Sequence, residues 1–555
     1  MSMNDVKMLF QFVGGLGMFL YGMNAMADGL QKSAGNRMKS LLKALTSNKY
    51  LAILVGTLIT AIIQSSSATT VMVVGFVNAG LFDLTQAVGV IMGANIGTTV
   101  TAWLVSMNEW GEILKPEFYA PVLIGIGAFI LLFSKDNKKK QIGEILVGFS
   151  LLFIGLSFMS GSIKPYRDAE IFSKAFSVFG SNPILGILTG AIITAIIQSS
   201  SASVGILQTL AMNGVVNWSA AIFITLGQNI GTCVTALISS AGAHRTAKRA
   251  AIIHLMFNVL GAAVFGVIGF IAFTIFPDLA GKKINSVEIS VFHTIFNISN
   301  TLMLLPFANG LVKLSGVIVK NGEEEQNQEN ALEELKDRLD ERIFETPSFA
   351  VERAVQEVLN MGFYTLDNLK KAKSAILDNN ADAIADVLKG EVVINGYEKQ
   401  LTEYLVKINN LSLNDSQHML VKNLLYSISD IERVGDHCEN LVELAQTYIE
   451  NNNVFSDEAK HDLEDMFNKA IDSYESSMKA RETGKKEFIE KELECEATVD
   501  RLEKIYRARH VERLGKSLCT SQTGVLFTDV LSNLERVSDH AENITQYVQE
   551  ENDNE

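Results

Sequence analysis

The pattern of apolar residues divides this 555-residue chain into two parts that meet near residue 320. In the first part the apolar residues form nine blocks, most of them longer than the roughly 20 residues that cross a bilayer. In the second part apolar residues recur at the three- and four-residue spacing of amphipathic helices. We expect an all-α chain, in which a polytopic membrane protein is followed by a soluble helical bundle. The apolar blocks lie at about 8–30, 51–78, 84–107, 118–134, 142–160, 184–213, 218–241, 250–276 and 287–319.

The charged residues support the same division. Residues 1–320 contain 21 Lys and Arg and 12 Asp and Glu, whereas the whole chain contains 47 and 62. About one residue in ten is therefore charged before residue 320 and about one in three after it, a contrast that a single globular domain does not show. We place a membrane domain at 1–320, a linker at 321–345 that begins with an acidic run at 321–325, and a soluble domain at 346–555.

Two of the apolar blocks are interrupted at their centres by the same polar tetrapeptide. Gln-Ser-Ser-Ser occupies residues 64–67 in one block and residues 198–201 in the other. The apolar segments on either side, about 13 residues each, are too short to cross a bilayer. Each block therefore predicts a re-entrant hairpin of two half-helices.

The interrupted blocks belong to a longer internal duplication. Residues 59–68 recur without change at 193–202, and residues 93–102 return with few changes at 227–236, both at an offset of 134. This spacing predicts repeats at about 8–134 and 142–276, followed by a last span at 287–319. If each hairpin returns to its own side, a repeat contributes three crossings, so the second copy is upside down and the topology is inverted.

Loop charges predict the orientation. The connections 31–50, 135–141 and 242–249 hold twelve Lys and Arg and one acid, whereas the alternate connections 108–117, 161–183 and 277–286 hold six bases and six acids. Basic connections remain in the cytoplasm. We expect a multi-pass protein of the inner (cytoplasmic) membrane with a cytoplasmic C-terminal domain and one hairpin entering from each face.

The tetrapeptides have the chemistry of an anion site. Each serine run lies where a second half-helix begins, and helix N-termini carry free N–H groups and a partial positive charge. The segments 84–108 and 184–244 contain no Asp, Glu, Lys or Arg, so hydroxyls, amides and backbone groups are what they offer to an oxyanion or a small hard cation. Because an unpaired anion is costly in such surroundings, the composition favours coupled anion and cation transport. Tight helix packing by small residues is the alternative reading.

An enzyme is not expected, because a nucleophilic serine needs a nearby base and neither hairpin carries one.

The doubled pair of motifs, Gln-Ser-Ser-Ser followed by Gly-x-Asn-Ile-Gly-Thr at 93–98 and 227–232, resembles the type II sodium-phosphate cotransporter family over about residues 8–319. The second motif predicts either a locally unwound helix that offers carbonyl groups or a helix crossing of small residues. The resemblance implies a substrate site between the hairpins. It implies phosphate contacts from Ser65, Ser66, Ser67, Ser199, Ser200, Ser201, Asn95, Asn229, Thr98 and Thr232. It implies sodium contacts from Gln64, Gln198, Thr101 and Thr235, to which Thr60 and Thr194 are added because they lie one helical turn before each glutamine.

The acidic part of the chain is also duplicated. Residues 432–440 return at 535–543, and the polar residues at 391, 395 and 398 are echoed at 496, 500 and 503. Carboxylates four residues apart share a helix face and can bind a divalent or ferric ion, although a solvated charged face is the alternative. The pattern resembles the PhoU family over about residues 349–547, which implies two three-helix bundles with metal clusters. The candidate ligands are Glu391, Asn395, Glu398, Glu432, Asp436, Glu496, Asp500, Glu503, Glu535 and Asp539.

Together these features predict sodium-coupled transport of inorganic phosphate by alternating access, with a cytoplasmic PhoU-like regulatory domain. One alternative is a membrane phosphate sensor or regulator. Another is a transporter of a different oxyanion, either an importer or an exporter. The expected partners are phosphate, sodium ions and membrane lipid, and not nucleic acid. The PhoU-like domain leaves open a homo-oligomer or a regulatory protein partner.

Overall fold

The computed structural model describes residues 3–43, 48–111, 115–319, 331–451 and 455–554. These residues form helices joined by short connections, which confirms the all-α fold class. The chain divides into two compact units. The membrane unit comprises Met1–Gln326 and Asp340–Phe349, and the C-terminal unit comprises Asn327–Leu339 and Ala350–Glu555. The acidic run at 321–325, expected in the linker, lies outside the described residues.

Several helices of the membrane unit begin at residues that favour a helix N-terminus. Asp83 and Asn285 each form a capping box with the residue three positions later, and Pro183 occupies the first turn of its helix, where a missing N–H costs nothing. The helices are α1 (Met3–Lys43), α2 (Lys49–Ile63), α3 (Ser66–Asn78), α4 (Leu84–Gly97), α5 (Thr99–Ser106), α6 (Pro116–Phe133), α7 (Asn137–Ile163), α8 (Glu170–Ser181), α9 (Pro183–Ile197), α10 (Ser200–Met212), α11 (Trp218–Ser239), α12 (Arg245–Ile275), α13 (Pro277–Gly281), α14 (Ser286–Leu304) and α15 (Ala308–Ile318).

Seven helical stretches within the described residues are long and apolar enough to cross a membrane. They lie at the seven uninterrupted apolar blocks of the sequence. Helix α6 leaves most of its apolar side chains exposed, among them Phe118, Phe129 and Leu132, as a helix facing lipid does. The stretches are Met3–Ala34, Leu84–Glu109, Pro116–Phe133, Asn137–Tyr166, Trp218–Ser239, Arg245–Ile275 and Ser286–Ile318.

The two interrupted blocks form helix pairs, and short connections join their members. The first helix pair is α2 and α3, and the second helix pair is α9 and α10. The second pair follows a sharp corner, because the apolar part of α8 meets α9 at 112°. Asn182 lies at this corner and accepts hydrogen bonds from two N–H groups at the start of α9.

Glycines set two of the closest helix crossings. A Cβ atom added at Gly93 of α4 would lie 2.1 Å from the carbonyl oxygen of Ile53 in α2. In the second copy, a Cβ at Gly227 of α11 would lie 1.9 Å from the carbonyl oxygen of Ile187 in α9. Only glycine permits such approaches. The glycine position that the two copies share therefore allows close helix packing in each of them.

The described residues of the C-terminal unit form six long helices, which follow one another as two triplets. Residues 331–345, expected in the linker, form instead a short helix and a 3-10 turn at Glu341–Glu345. The long helices bury aromatic side chains, including Tyr474, Phe467 and Phe527. The helices are α16 (Ala331–Arg338), α17 (Pro347–Leu377), α18 (Ala381–Ile408), α19 (Asp415–Glu450), α20 (Asp457–Thr483), α21 (Lys486–Gly515) and α22 (Ser521–Asn554).

Candidate functional site

The bends of the two helix pairs have the same local geometry. Gln64 and Gln198 end α2 and α9 with φ values of 57° and 56°, in the left-handed region that non-glycine residues rarely adopt. The next residue caps the following helix: the Ser65 hydroxyl accepts from the Ala68 N–H at 3.1 Å, and the Ser199 hydroxyl accepts from the Ala202 N–H at 3.2 Å. The strained glutamine and the capping serine together turn the chain within two residues.

The two bends meet each other. The Oγ atoms of Ser66 and Ser200 are 3.5 Å apart, and Ser201 donates to the carbonyl oxygen of Gln64 at 3.4 Å. Ser67 is buried and its Oγ has no hydrogen-bond partner among the described residues. Because α3 and α10 both begin here, the unpaired N–H groups and helix dipoles of two helix N-termini lie beside the same serine hydroxyls. Groups of this kind are the ones that bind an oxyanion.

The Gly-x-Asn-Ile-Gly-Thr segments remain helical. Helix α11 runs without a break through its copy, and Thr98, between α4 and α5, keeps right-handed helical angles. Of the two alternatives, the close crossing of small residues is the one that the structure supports, and the only interruption within these two segments is the single residue Thr98 in the first copy. Asn95 and Asn229 each donate to the carbonyl four residues earlier, at 2.8 Å and 2.9 Å, and both are buried.

The hydroxyls of Thr60 and Thr194, two of the predicted sodium ligands, each join the two helices of a pair. Thr60 donates to Thr69 at 3.0 Å across the first pair, and Thr194 donates to Ser203 at 2.8 Å across the second. Thr98 and Thr232 bond back to carbonyls of their own helices, at 3.1 Å and 3.0 Å, as buried threonines do in helices. The hydroxyl oxygens of all these residues retain lone pairs that can face a cation.

The two copies differ at the glutamine. Gln64 is 5% exposed, and its Oε1 accepts from the Thr101 hydroxyl at 3.0 Å. Gln198 is exposed, and Thr235 is partly exposed. The structure thus brings Gln64 and Thr101 together in the interior of the membrane unit, whereas the side chain of Gln198 is exposed.

Three polar residues at the bends escaped the sequence analysis. Thr69 and Ser203 face Thr60 and Thr194, and Gln228 donates to Ser203 at 3.0 Å. Thr69 and Ser203 are one residue beyond the ten-residue identity, and both carry a hydroxyl, which would have identified them had the comparison been extended. Gln228 had no such signal, because Ala94 occupies its place in the first copy.

The C-terminal unit brings one group of predicted metal ligands together. Ligand oxygens of Glu496, Asp500 and Asp539, on α21 and α22, lie within 4.8 Å of one another. Burial, reinforced by neighbouring carboxylates, raises the pKa of Glu496 and Asp539. A bound cation would relieve this repulsion, so these residues fit a metal ion. Basic side chains also lie near these acids: Asp500 is 3.6 Å from Lys504 and Asp539 is 3.6 Å from Arg536. The other two candidates of this triplet, Glu503 and Glu535, lie beside Arg507 and Arg536.

In the first triplet no matching group of three carboxylates occurs among the residues that the structure describes. Glu391 is buried with both carboxylate oxygens unpartnered, and burial together with Asp436 raises the pKa of Glu391 to about 7. Asn395 is exposed, and Glu398, Glu432 and Asp436 are partly exposed. Asn395 brings no charge, which explains physically why this half is the weaker candidate.

Comparison with known proteins follows the same division of the chain. Residues 18–161 and 168–285 match the Na+/Pi-cotransporter family, and residues 358–445 and 463–548 match the PhoU domain. The chain is 22% identical over 535 residues to the protein YjbB of Escherichia coli, named for inorganic phosphate export; the match covers 96% of this chain and 95% of YjbB. It is 30% identical over 316 residues to YqeW of Bacillus subtilis, covering 56% of this chain and 98% of YqeW.

A shorter match links the chain to a transporter of animals. Over 102 residues it is 33% identical to the sodium-dependent phosphate transport protein 2A of Rattus norvegicus, covering 18% of this chain and 16% of that protein. The membrane-crossing helices and the two family matches define a multi-pass membrane transporter with a PhoU domain. The chain belongs to the Na+/Pi-cotransporter family.

Proposed function

We propose that the chain transports inorganic phosphate together with sodium ions, by alternating access around the two bends. The observation that carries this proposal is the 3.5 Å approach of the Ser66 and Ser200 hydroxyls at the starts of α3 and α10. Two helix N-termini directed at one point favour an anion, and the hydroxyls and N–H groups match the oxygens of phosphate.

Sodium coupling follows from the charge of the surroundings. The segments that form the site carry no Lys or Arg to neutralise phosphate, so an isolated phosphate there would pay a large desolvation cost. Sodium ions bound to nearby oxygens offset that charge. Gln64 Oε1 and the Thr101 hydroxyl, which lie together, are the proposed sodium ligands in the first copy, and the equivalent sodium role of Gln198 and Thr235 is proposed only for a conformation in which they are covered.

The helix pairs are, in this proposal, re-entrant hairpins related by inverted topology. The basic connections 31–50, 135–141 and 242–249 support a cytoplasmic position for one end of the membrane unit, and for the C-terminal unit with it. Opening one hairpin at a time would expose the site to one face and then to the other.

The direction of net transport is set by the combined gradients, because a coupled carrier is reversible. The name of YjbB refers to export and that of protein 2A to sodium-dependent transport. We propose one mechanism for both directions.

The PhoU domain is proposed to regulate the carrier, with Glu496, Asp500 and Asp539 holding a divalent or ferric ion that fixes α21 against α22.

Proteoliposomes of purified protein provide the test. Radiolabelled phosphate uptake is measured with a sodium gradient and, in parallel, with an equal potassium gradient. We expect sodium-dependent accumulation that Ser66→Ala and Ser200→Ala each reduce at least tenfold, since each removes a donor from the site. Ser150→Ala is the matched control, because that buried hydroxyl bonds only to a carbonyl of its own helix, that of Leu146. Equal uptake in sodium and potassium would refute the coupling, and normal uptake in both serine variants would refute the site. Uptake of sulfate in preference to phosphate would support the other-oxyanion alternative.

A further inference from the structure

Ten residues that overlap the end of the expected linker belong to the membrane unit, although the residues before and after them in the chain belong to the C-terminal unit. These residues are Asp340–Phe349, which we name the clamp segment; Leu339 before it and Ala350 after it are part of the C-terminal unit. The segment includes the 3-10 turn and the first turn of α17. The C-terminal unit thus holds both ends of a loop whose middle is packed in the membrane unit.

The apolar side of the clamp segment packs on α3, the half-helix that starts at Ser66. Ile343, Thr346 and Phe349 are almost fully buried. Thr346 donates to the Met72 sulfur at 3.1 Å, and the rings of Phe349 and Phe76 have centroids 5.7 Å apart. These contacts cover the half of α3 that lies away from the site.

The polar side of the clamp segment joins three helices. Asp340 accepts from the side chain of Asn78, the last residue of α3, at 2.8 Å, and the other end of that amide accepts from the His244 N–H at 2.8 Å, just before α12. Arg342 pairs with Asp340 at 2.6 Å and donates to the Ser239 carbonyl oxygen, at the end of α11, at 2.7 Å. One ion pair therefore fastens the end of α3 to the ends of α11 and α12.

Both α3 and α11 contribute to the candidate site at their other parts. Helix α3 starts at the serine run, and α11 carries Asn229. Separation of these two helices at the clamped end would open a route to the site from that side. The clamp segment resists that separation, because its charged hydrogen bonds, Arg342 to Ser239 and Asp340 to Asn78, span the gap.

The second helix pair is fastened differently. At the corresponding end of α10, Asn213 donates to the Ser160 hydroxyl of α7 at 2.9 Å. Both residues of that contact lie in the second repeat, so the contact does not involve the acidic part of the chain. The clamp segment is thus an asymmetric addition to a duplicated framework.

A buried ion network closes the base of the loop inside the C-terminal unit. Glu357 is fully buried and pairs with Arg338, which precedes the clamp segment, and with Arg353, which follows it. Arg353 also donates to the Arg338 carbonyl oxygen at 3.0 Å. The residues that precede the clamp segment and those that follow it are therefore joined to each other inside the C-terminal unit.

We propose that Asp340–Phe349 is a regulatory clamp that keeps one gate of the transporter closed until the PhoU domain withdraws it. The proposal rests on alternating access as described under the proposed function, and it adds a mechanism by which the PhoU domain controls the carrier. Withdrawal breaks the bridge between α3 and α11 and lets the first helix pair open on the clamped side.

The test measures access to the site and needs no transported substrate. A cysteine at Ser67 is introduced into full-length protein in which the two partly exposed thiols, Cys495 and Cys519, are replaced by serine. A membrane-impermeant thiol reagent is applied to either face of sealed vesicles. We expect Arg342→Ala to increase the labelling rate about tenfold from the face of the clamp and to leave labelling from the other face unchanged, which corresponds to losing one charged hydrogen bond in the closed state.

Matched variants separate the parts of the proposal. Arg167→Ala, which removes an exposed arginine paired with Asp168, is expected to label like the parent. Glu357→Gln loosens the base of the loop without touching the clamp contacts, and it is expected to increase labelling in the same way as Arg342→Ala. If Arg342→Ala fails to fold, Arg342→Lys, which keeps the charge and loses the fork geometry, takes its place.

The labelling rates distinguish failure of the clamp itself from failure of its control by the PhoU domain. Unchanged or slower labelling in the Arg342 variants overturns the clamp. Faster labelling in those variants with parental labelling in Glu357→Gln overturns control by the PhoU domain and leaves a fixed gate. Because labelling requires neither phosphate nor sodium, it remains decisive even if the uptake assay refutes sodium-phosphate coupling.

Discussion

A single added methyl group at Gly227 provides the sharpest test of how the site is held in place. Gly227 of α11 faces Ile187 of α9, and an added Cβ would lie 1.9 Å from the Ile187 carbonyl oxygen and 2.9 Å from the Ala191 nitrogen. Contacts of a real Cβ below 3.0 Å essentially do not occur. Both obstacles are backbone atoms, so no side chain can rotate away and the helices themselves must separate.

The displacement follows from the distances. To increase the contact from 1.9 Å to 3.0 Å, α9 and α11 must move apart by at least 1.1 Å. Helix α9 leads into the bend at Gln198 and α11 carries Asn229, so the movement shifts the two predicted contributors relative to each other. Overpacking of this kind costs about 1–3 kcal/mol of stability, and a 1 Å error in a binding site costs on the order of 100-fold in rate.

The assay compares Gly227→Ala with Gly125→Ala in proteoliposomes and by thermal unfolding in detergent. An added Cβ at Gly125 on α6 meets nothing within 4 Å, so this variant is expected to transport and unfold like the parent. Gly227→Ala is expected to lose about 100-fold in phosphate uptake, with a lower unfolding temperature. Parental uptake by Gly227→Ala would refute the reasoning, because it would mean that the crossing of α9 and α11 does not set the site geometry.

Three further predictions concern other parts of the molecule. Thr101→Val removes the hydroxyl that donates to Gln64, and we expect the sodium concentration for half-maximal uptake to rise about tenfold; an unchanged sodium dependence would exclude this pair as ligands. Burial raises the pKa of Glu492 to about 7, above its ordinary 4.5, so the folded state binds its proton more tightly. The contribution of Glu492 to the free energy of unfolding is therefore fully present below pH 4.5, and it falls by about 3 kcal/mol as the pH rises to 7. Thermal unfolding of full-length Glu492→Gln should lack this decrease, and an identical pH profile in variant and parent would contradict the prediction. Glu496→Gln should abolish manganese binding measured by calorimetry, whereas Glu432→Gln should retain it, since the three-carboxylate group lies in the second triplet; equal loss in both would place the metal elsewhere.

The sequence by itself determined the features that depend on local pattern. Hydrophobic block length identified the crossing helices, because the thickness of a bilayer fixes the number of apolar residues that a helix needs. The exact recurrence of ten residues at an offset of 134 located the duplicated bends, because the polar tetrapeptide in each copy leaves apolar segments that are too short to cross a bilayer. Charge contrast indicated a boundary near residue 320, and the two family matches lie on either side of it.

Contacts between distant segments were decided only in the tertiary structure. The 3.5 Å approach of Ser66 to Ser200 joins residues 134 positions apart, and no local spacing encodes it. The burial of Gln64 and the exposure of Gln198 could not be read from two identical tetrapeptides, because burial depends on the neighbours that each copy meets.

The glycines and the clamp segment show the same limit. The sequence left open whether Gly93 and Gly227 unwind a helix or allow a crossing, and backbone atoms of α2 and α9 at about 2 Å from an added Cβ answer that question. Residues 340–345 were expected in the linker and residues 346–349 in the soluble domain, yet Ile343 and Phe349 are buried within the membrane unit. Periodicity shows which face of a segment is apolar, but the packing partner of that face is set by the path of the whole chain.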